Sequence, residues 1–150
     1  MSEIESPYSA YAYAVKEQLA PLVQTLKELS ATAQSRSLTY TERSAVERCI
    51  QVLVEIAIGA SKHVIKHHHA PVPSDSYASI AQAHALIGKS TPSIEDLRGA
   101  VGMRNAIIHD YLNLDWGRVE AILKMGKYTV VLDYINEVLK KLLLSGGSRV

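Results

Sequence analysis

The sequence predicts an all-α fold: an antiparallel bundle of four long helices plus one short helix. Apolar residues recur at spacings of three and four along most of the chain. No stretch reads convincingly as a strand. Helix start signals stand where the periodic segments begin.

Each element has its own warrant. Residues 7–34 read as a helical region because Val15, Leu19, Leu22, Leu26 and Leu29 keep the helical period. Pro21 falls inside that pattern and is expected to kink the helix or split it near Ala20. Ala31 to Leu38 is small and polar and reads as a loop. The second helix starts near Thr39, where Thr39-Tyr40-Thr41-Glu42 spells a capping box. Its core stripe is Val46, Cys49, Ile50, Leu53, Ala57, Ala60 and Val64, with Glu47, Gln51 and Glu55 on a separate polar face. Its end is basic, Lys62 to His69, which suits the partial negative charge of a helix C-terminus. A short third helix spans about Ser76 to Gly88, with Ile80, Ala83, His84 and Ile87 facing inward. The fourth is expected to open at Thr91-Pro92, with Thr91 as N-cap and Glu95 and Asp96 in the first turn. Ile94, Leu97, Val101 and Ile108 form its apolar stripe. After a break at Asn113 to Asp115, a fifth helix capped by Asp115 carries Val119, Ile122, Leu123, Val131, Ile135, Val138, Leu139 and Leu142. Residues 145–150 read as a Gly/Ser-rich flexible tail.

The 150 residues are expected to form a single domain able to build a core without disulfide or structural metal. Phenylalanine is absent, so that core must be aliphatic with a few tyrosines. Cys49 is the one cysteine and, on an apolar stripe, reads as an inert thiol. Net charge is +1, so any nucleic-acid site must be a local patch. Glu3 and Glu5 stand where a signal peptide would be basic, and no uninterrupted apolar run is long enough for a membrane span. A cytoplasmic location with no membrane partner is expected. No glycine-rich phosphate loop is present.

Chemistry concentrates in Gly102-Met103-Arg104-Asn105-Ala106-Ile107-Ile108-His109-Asp110-Tyr111. On an ideal helix Asn105 and His109 share a face, and Arg104 and Tyr111 share another with Leu97, Val101 and Ile108. Arg104 and His109 lie five apart and point about 140° from each other. Three arrangements would bring them to one site: Arg104 curling round the helix, the helix loosening near His109, or two chains pairing around a composite site. The structural alternative is a polar break near a helix end, with Arg104 paired to Glu47 or Glu55 and His109 a satisfied core histidine.

The run R-N-A-I-I-H-D-Y from Arg104 to Tyr111 resembles the Arg, four residues, His, one residue, Tyr signature of HEPN-domain toxins of the HepT type. Flanking segments agree: A-V-E-R-C-I-Q-V-L-V-E-I-A-I from Ala45, S-K-H-V-I from Ser61, P-V-P from Pro71, L-R-G-A-V-G-M-R-N from Leu97 and R-V-E-A-I-L from Arg118. The resemblance covers about residues 38–143. It implies a homodimeric, metal-independent ribonuclease, with Arg104 and His109 catalytic and no cofactor of its own. Asn105 and Asp110 become supporting residues that orient imidazole or substrate. The resemblance also implies a minimal nucleotidyltransferase antitoxin that spends ATP to place AMP on Tyr111. The RNA substrate would be tRNA or mRNA.

Those roles suit the chemistry. Cleavage through the ribose 2′-hydroxyl needs proton acceptance, proton donation and charge stabilisation, which imidazole and guanidinium groups supply. Lys62, Lys66 and His67 are candidate contacts to an RNA backbone. His63 and His67, four apart, could form a metal pair, but no further ligand pattern completes it, and no metal site is expected. Tyr8, Tyr11 and Tyr13 fit helix packing better than a base-stacking platform. The alternative function is a non-catalytic helical binding partner of a nucleotidyltransferase. A bare structural bundle is a third reading, in which Arg104 and Tyr111 serve neither cleavage nor binding.

Overall fold

A computed structural model describes residues 6–89 and 92–147. The described residues are helical with no strand: α1 (Ser9–Ser35), α2 (Tyr40–His67), α3 (Ser76–Ile87), α4 (Ile94–His109), α5 (Trp116–Lys124) and α6 (Thr129–Gly147), with a short 3-10 turn at Tyr111–Asn113. Helix α2 is the axis of the bundle, because α1, α3, α4 and α6 all pack against it. Its stripe carries Val46, Ile50, Leu53, Val54, Ala57, Ala60, Val64 and Ile65, all buried. Leu26 of α1, Leu97 of α4, Leu123 of α5 and Ile135, Leu139 and Leu142 of α6 close over it. Phenylalanine's place is taken by Tyr134, whose buried hydroxyl lies 2.6 Å from Ser61 Oγ. Burial pushes that phenol up to about 12. No described helix is long and apolar enough to cross a membrane.

The fold class stands as read, and several boundaries move for local reasons. Helix α1 runs unbroken through Pro21 and on to Ser35, so there is neither a split at Ala20 nor a loop from Ala31. Pro21 faces solvent, where water can satisfy the carbonyl it frees, while Leu19, Leu22 and Leu26 hold the inner face. The expected fifth helix is two. Gly126 adopts φ 67°, and Lys127 N–H donates to the Ile122 carbonyl at 3.0 Å, a left-handed stop between α5 and α6. Helix α4 is capped by Ser93, whose hydroxyl accepts from Asp96 N–H, and starts two residues after the expected Pro92. Thr91, the expected cap, lies outside the described residues, as do Glu3, Glu5 and residues 148–150. The supposed tail from Ser145 is helical as far as Gly147. Cys49 is half-buried, and burial pushes its thiol up, which suits an unreactive group.

The histidine run has a structural use. His69 takes φ 57° and ends α2, with Ala70 N–H donating to the Ile65 carbonyl at 3.2 Å. Histidine is one of the few side chains found with any frequency in that left-handed region.

The start of α2 is fully capped. Thr39 Oγ1 accepts from Glu42 N–H, Glu42 Oε1 accepts from Thr39 N–H at 2.8 Å, and Arg36 donates to both Glu42 oxygens. The Arg36 hydrogen bond, foremost, holds the Glu42 carboxyl down to about 2 from 4.5. Its stabilisation is therefore complete above the unfolded value and lost as pH falls through that interval. Thr39→Ala should cost about 1 kcal/mol in urea unfolding at neutral pH. Glu42→Gln should flatten the acid limb of stability between those two pKa values. An unchanged midpoint for the first, or an unchanged limb for the second, would show that the box is idle.

Candidate active site

Helix α4 buries an arc of Leu97, Val101, Met103 and Ile107. Arg104 lies within that arc, so its stem is packed and only 19% of its side chain is exposed. Its charge is met from α2: Nη2 lies 3.9 Å from Glu55 Oε2. Nη1 donates to Asn105 Oδ1 at 2.9 Å and reaches Ser76 Oγ, at the start of α3, at 3.5 Å. Buried Nε has no hydrogen-bond partner. A guanidinium offers five donors, and here only one makes a short bond. The group is held in place yet is far from saturated, which suits it to take up an anionic oxygen.

Glu47, Gln51 and Glu55, the expected polar face of α2, are buried or half-buried. Glu47 is only 9% exposed. Gln51 Nε2 donates to Glu55 Oε2 at 3.4 Å, beside Arg104. Glu47 lies close enough to Tyr111 to raise its phenol. Glu47 and Glu55 are about two turns apart on α2. Helices α2 and α4 meet through a polar contact, Glu55 with Arg104.

His109 is the last residue of α4 and is exposed. It is not a core histidine, and no side-chain hydrogen bond reaches it among the described residues. The helix ends at this point: Asp110 adopts φ −140° and ψ 40°, and its Oδ1 accepts from Asn113 Nδ2 at 2.8 Å. Asp110 is therefore tied into the turn. Asn105 engages Arg104 rather than the imidazole. Within one chain Arg104 points inward and His109 outward, as their five-residue spacing requires. Tyr111 is exposed at the rim. The nearby Glu47 carboxylate is the leading cause that raises its phenol above 10.0.

The other candidates lie along α2 toward its C-terminus. Lys62 and Lys66 are about 10 and 16 Å along the helix axis from Glu55. His67 Nδ1 is 3.3 Å from Tyr8 Oη, and His63 packs on Tyr11 with ring centroids 4.2 Å apart. Tyr8 and Tyr11 thus pack helices, and Tyr13 is exposed. No group of three or more His, Cys, Asp or Glu able to hold a metal occurs among the described residues. A cavity of about 530 Å³ between α2, α4, α5 and α6 is lined by Leu53, Val54, Met103 and Tyr128 with a charged rim, and includes none of Arg104, Asn105, His109 or Tyr111.

Glu47 and Glu55 were both legible as possible partners of Arg104, and the structure pairs it with Glu55. The available signal was Arg104 itself, since an arginine on an apolar stripe demands an inward carboxylate.

A helical bundle with Arg, His and Tyr gathered at one helix end defines a protein of the HEPN type. The family model described as ribonuclease HepT-like matches residues 15–138, most of the chain, and the chain belongs to that family. The match reaches back into α1, which no local motif had linked to it. No curated protein and no solved structure matches the chain.

Replacing Glu47 by Gln should bring the Tyr111 phenol back down toward 10.0, read by pH titration of isotope-labelled tyrosine with Tyr111→Phe to assign the signal. A Tyr111 titration that is the same with and without the Glu47 carboxylate would contradict that cause.

Proposed function

We propose that the chain is the toxin of a toxin–antitoxin pair: a metal-independent endoribonuclease that uses the RNA 2′-hydroxyl as nucleophile. Membership of the HepT-like family supports this reading. The observation that carries it is the state of the motif: an unsaturated Arg104 fork within reach of solvent and a free, exposed His109 at the same helix end. In cleavage the 2′-oxygen attacks phosphorus, the 5′-oxygen leaves, and a 2′,3′-cyclic phosphate forms. His109 moves the protons, and Arg104 offsets the charge that gathers on the phosphorane. Because one helix points them apart, a homodimer would supply the two groups from different chains, with Asn105 holding the Arg104 fork. Lys62, Lys66 and His67 would carry the RNA backbone beyond the cleft.

Regulation follows from Tyr111. A nucleotidyltransferase partner would use ATP to place AMP on it, adding bulk and negative charge near Arg104, where RNA phosphate must bind. The Arg104–Glu55 pair favours a second reading, because a paired arginine also suits a non-catalytic partner of such an enzyme. Cleavage by the purified, unmodified chain separates the two.

His109→Ala should lower RNA cleavage about a hundred- to ten-thousand-fold and relieve growth arrest. Arg104→Ala should lower it about a hundred- to a thousand-fold. EDTA should leave the wild-type rate unchanged. Activity lost in EDTA and restored by a divalent ion would refute the metal-free mechanism, and full activity in His109→Ala would refute the site.

A further inference from the structure

The start of α3 meets two arginines of α4. Ser76 and Tyr77 are the first two residues of α3. Arg104 reaches the Ser76 hydroxyl at 3.5 Å, and Arg98 Nη2 donates to the Tyr77 hydroxyl at 3.1 Å. The Arg98 guanidinium also lies over the Tyr77 ring, 4.9 Å from its centroid. That ring packs against the core, so the surface beneath Arg98 is fixed. The Arg98 side chain is nonetheless 62% exposed. A long exposed side chain ordinarily samples many rotamers. This one is held by a ring and a hydroxyl, and a guanidinium with five donors keeps several to spare.

We propose that Arg98, resting on Tyr77, is a second phosphate-binding position for the RNA strand, beside the scissile position at Arg104. This rests on the reading of the chain as a ribonuclease. The two arginines are six positions apart, about 9 Å along α4, a span that a few nucleotides of one strand cover. On a bare helix they would point about 120° from each other. Contact with consecutive residues of α3 brings both heads to the same edge, and Asn105 holds Arg104 toward solvent there through its 2.9 Å bond. The helix surface between them is low: Gly102 is exposed, and nothing outside its own helix lies within 4 Å of where a Cβ would stand.

The nearby carboxylates leave room for an anion. Glu95 is 4.0 Å from Arg98 Nη1 and is itself exposed, so the pair is weak and water-screened. Asp75 is committed to capping α3, its Oδ2 accepting from Ala78 N–H at 2.8 Å. A phosphate offers a planar fork two oxygens at once, which a carboxylate at 4.0 Å does not. Arg98 is then a binding residue and Tyr77 a positioning residue. Their contact is remote from the reacting bond and equal in ground and transition states, so it serves KM and not kcat. It touches backbone and not base edges, so it carries no sequence preference.

The test follows the fluorescence anisotropy of a labelled, mixed-sequence single-stranded RNA against the full chain over a salt series, in a His109→Ala parent that spares the probe. Adding Arg98→Ala should weaken binding about tenfold. It should also lower the log–log salt slope by about 0.7, the loss of one single-strand phosphate contact. Arg98→Lys keeps the charge and so the slope, but loses the planar fork and should bind with intermediate affinity. Tyr77→Phe should lose part of the affinity, and combining it with Arg98→Ala should cost no more than Arg98→Ala alone, a coupling that a general structural defect would not show. Lys27 is exposed on α1, a helix that packs on α2, α5 and α6, and Lys27→Ala should change neither affinity nor slope. In the active chain Arg98→Ala should raise KM by about the same factor with kcat unchanged. Arg98→Ala with the parent's affinity and slope, an equal loss in Lys27→Ala, or a fall in kcat at unchanged KM would each overturn the inference and leave the ribonuclease reading standing. If circular dichroism shows Arg98→Ala unfolded, Arg98→Gln takes its place with the same expectations. A wild-type chain that neither binds nor cleaves RNA would instead remove the reading on which the inference rests.

Discussion

The pitch of one helix governs this molecule. Arg104 and His109 are five positions apart, so a regular α4 points them about 140° from each other. The structure keeps the helix intact to His109 and turns Arg104 into the bundle. The site is therefore divided: a guanidinium set between α2, α3 and α4, and an imidazole standing free at the end. α2 makes this tolerable, because its Glu55 meets the buried charge at 3.9 Å. An arginine in that place without a carboxylate would be an uncompensated charge in a low-dielectric interior.

The same pair describes how a resting site can wait for substrate. Glu55 neutralises Arg104 without engaging it at hydrogen-bonding distance, and Nε is left without a partner. A phosphate oxygen offers more negative charge and better geometry to a planar fork than a carboxylate at that range. In the proposed regulation, a phosphate-bearing group on Tyr111 would sit about two helical turns from the guanidinium, within the span of a nucleotide.

Much of the fold was legible because its signals are local. Thr39 with Glu42 at α2, the acidic first turn of α4 and the left-handed Gly88 after α3 are each set by residues within a few positions of one another. Where burial decides the outcome, reading fails in predictable ways. Pro21 is tolerated because it faces water, which its neighbours in sequence do not reveal. Gly126 was overridden by an apolar period that runs across the turn from Ile122 to Val131. Glu47, Gln51 and Glu55 were legible as one polar face of α2, but polar spacing alone cannot say which helix lies opposite. Arg104 and His109 as chemical groups were visible at once, and so were the two carboxylates open to Arg104; that Glu55 is the one it meets depends on how α2 meets α4.

The central claim is that Arg104 and His109 act on one phosphodiester from different chains of a two-fold dimer, where each chain would present both halves to its partner. Co-expressing an Arg104→Ala chain with a differently tagged His109→Ala chain, and isolating the mixed dimer, tests it directly. Either homodimer should be inactive. The mixed dimer should recover RNA cleavage, because one of its two clefts then holds an intact arginine from one subunit and an intact histidine from the other. A mixed dimer as inactive as the homodimers, beside an active wild type, would contradict the account.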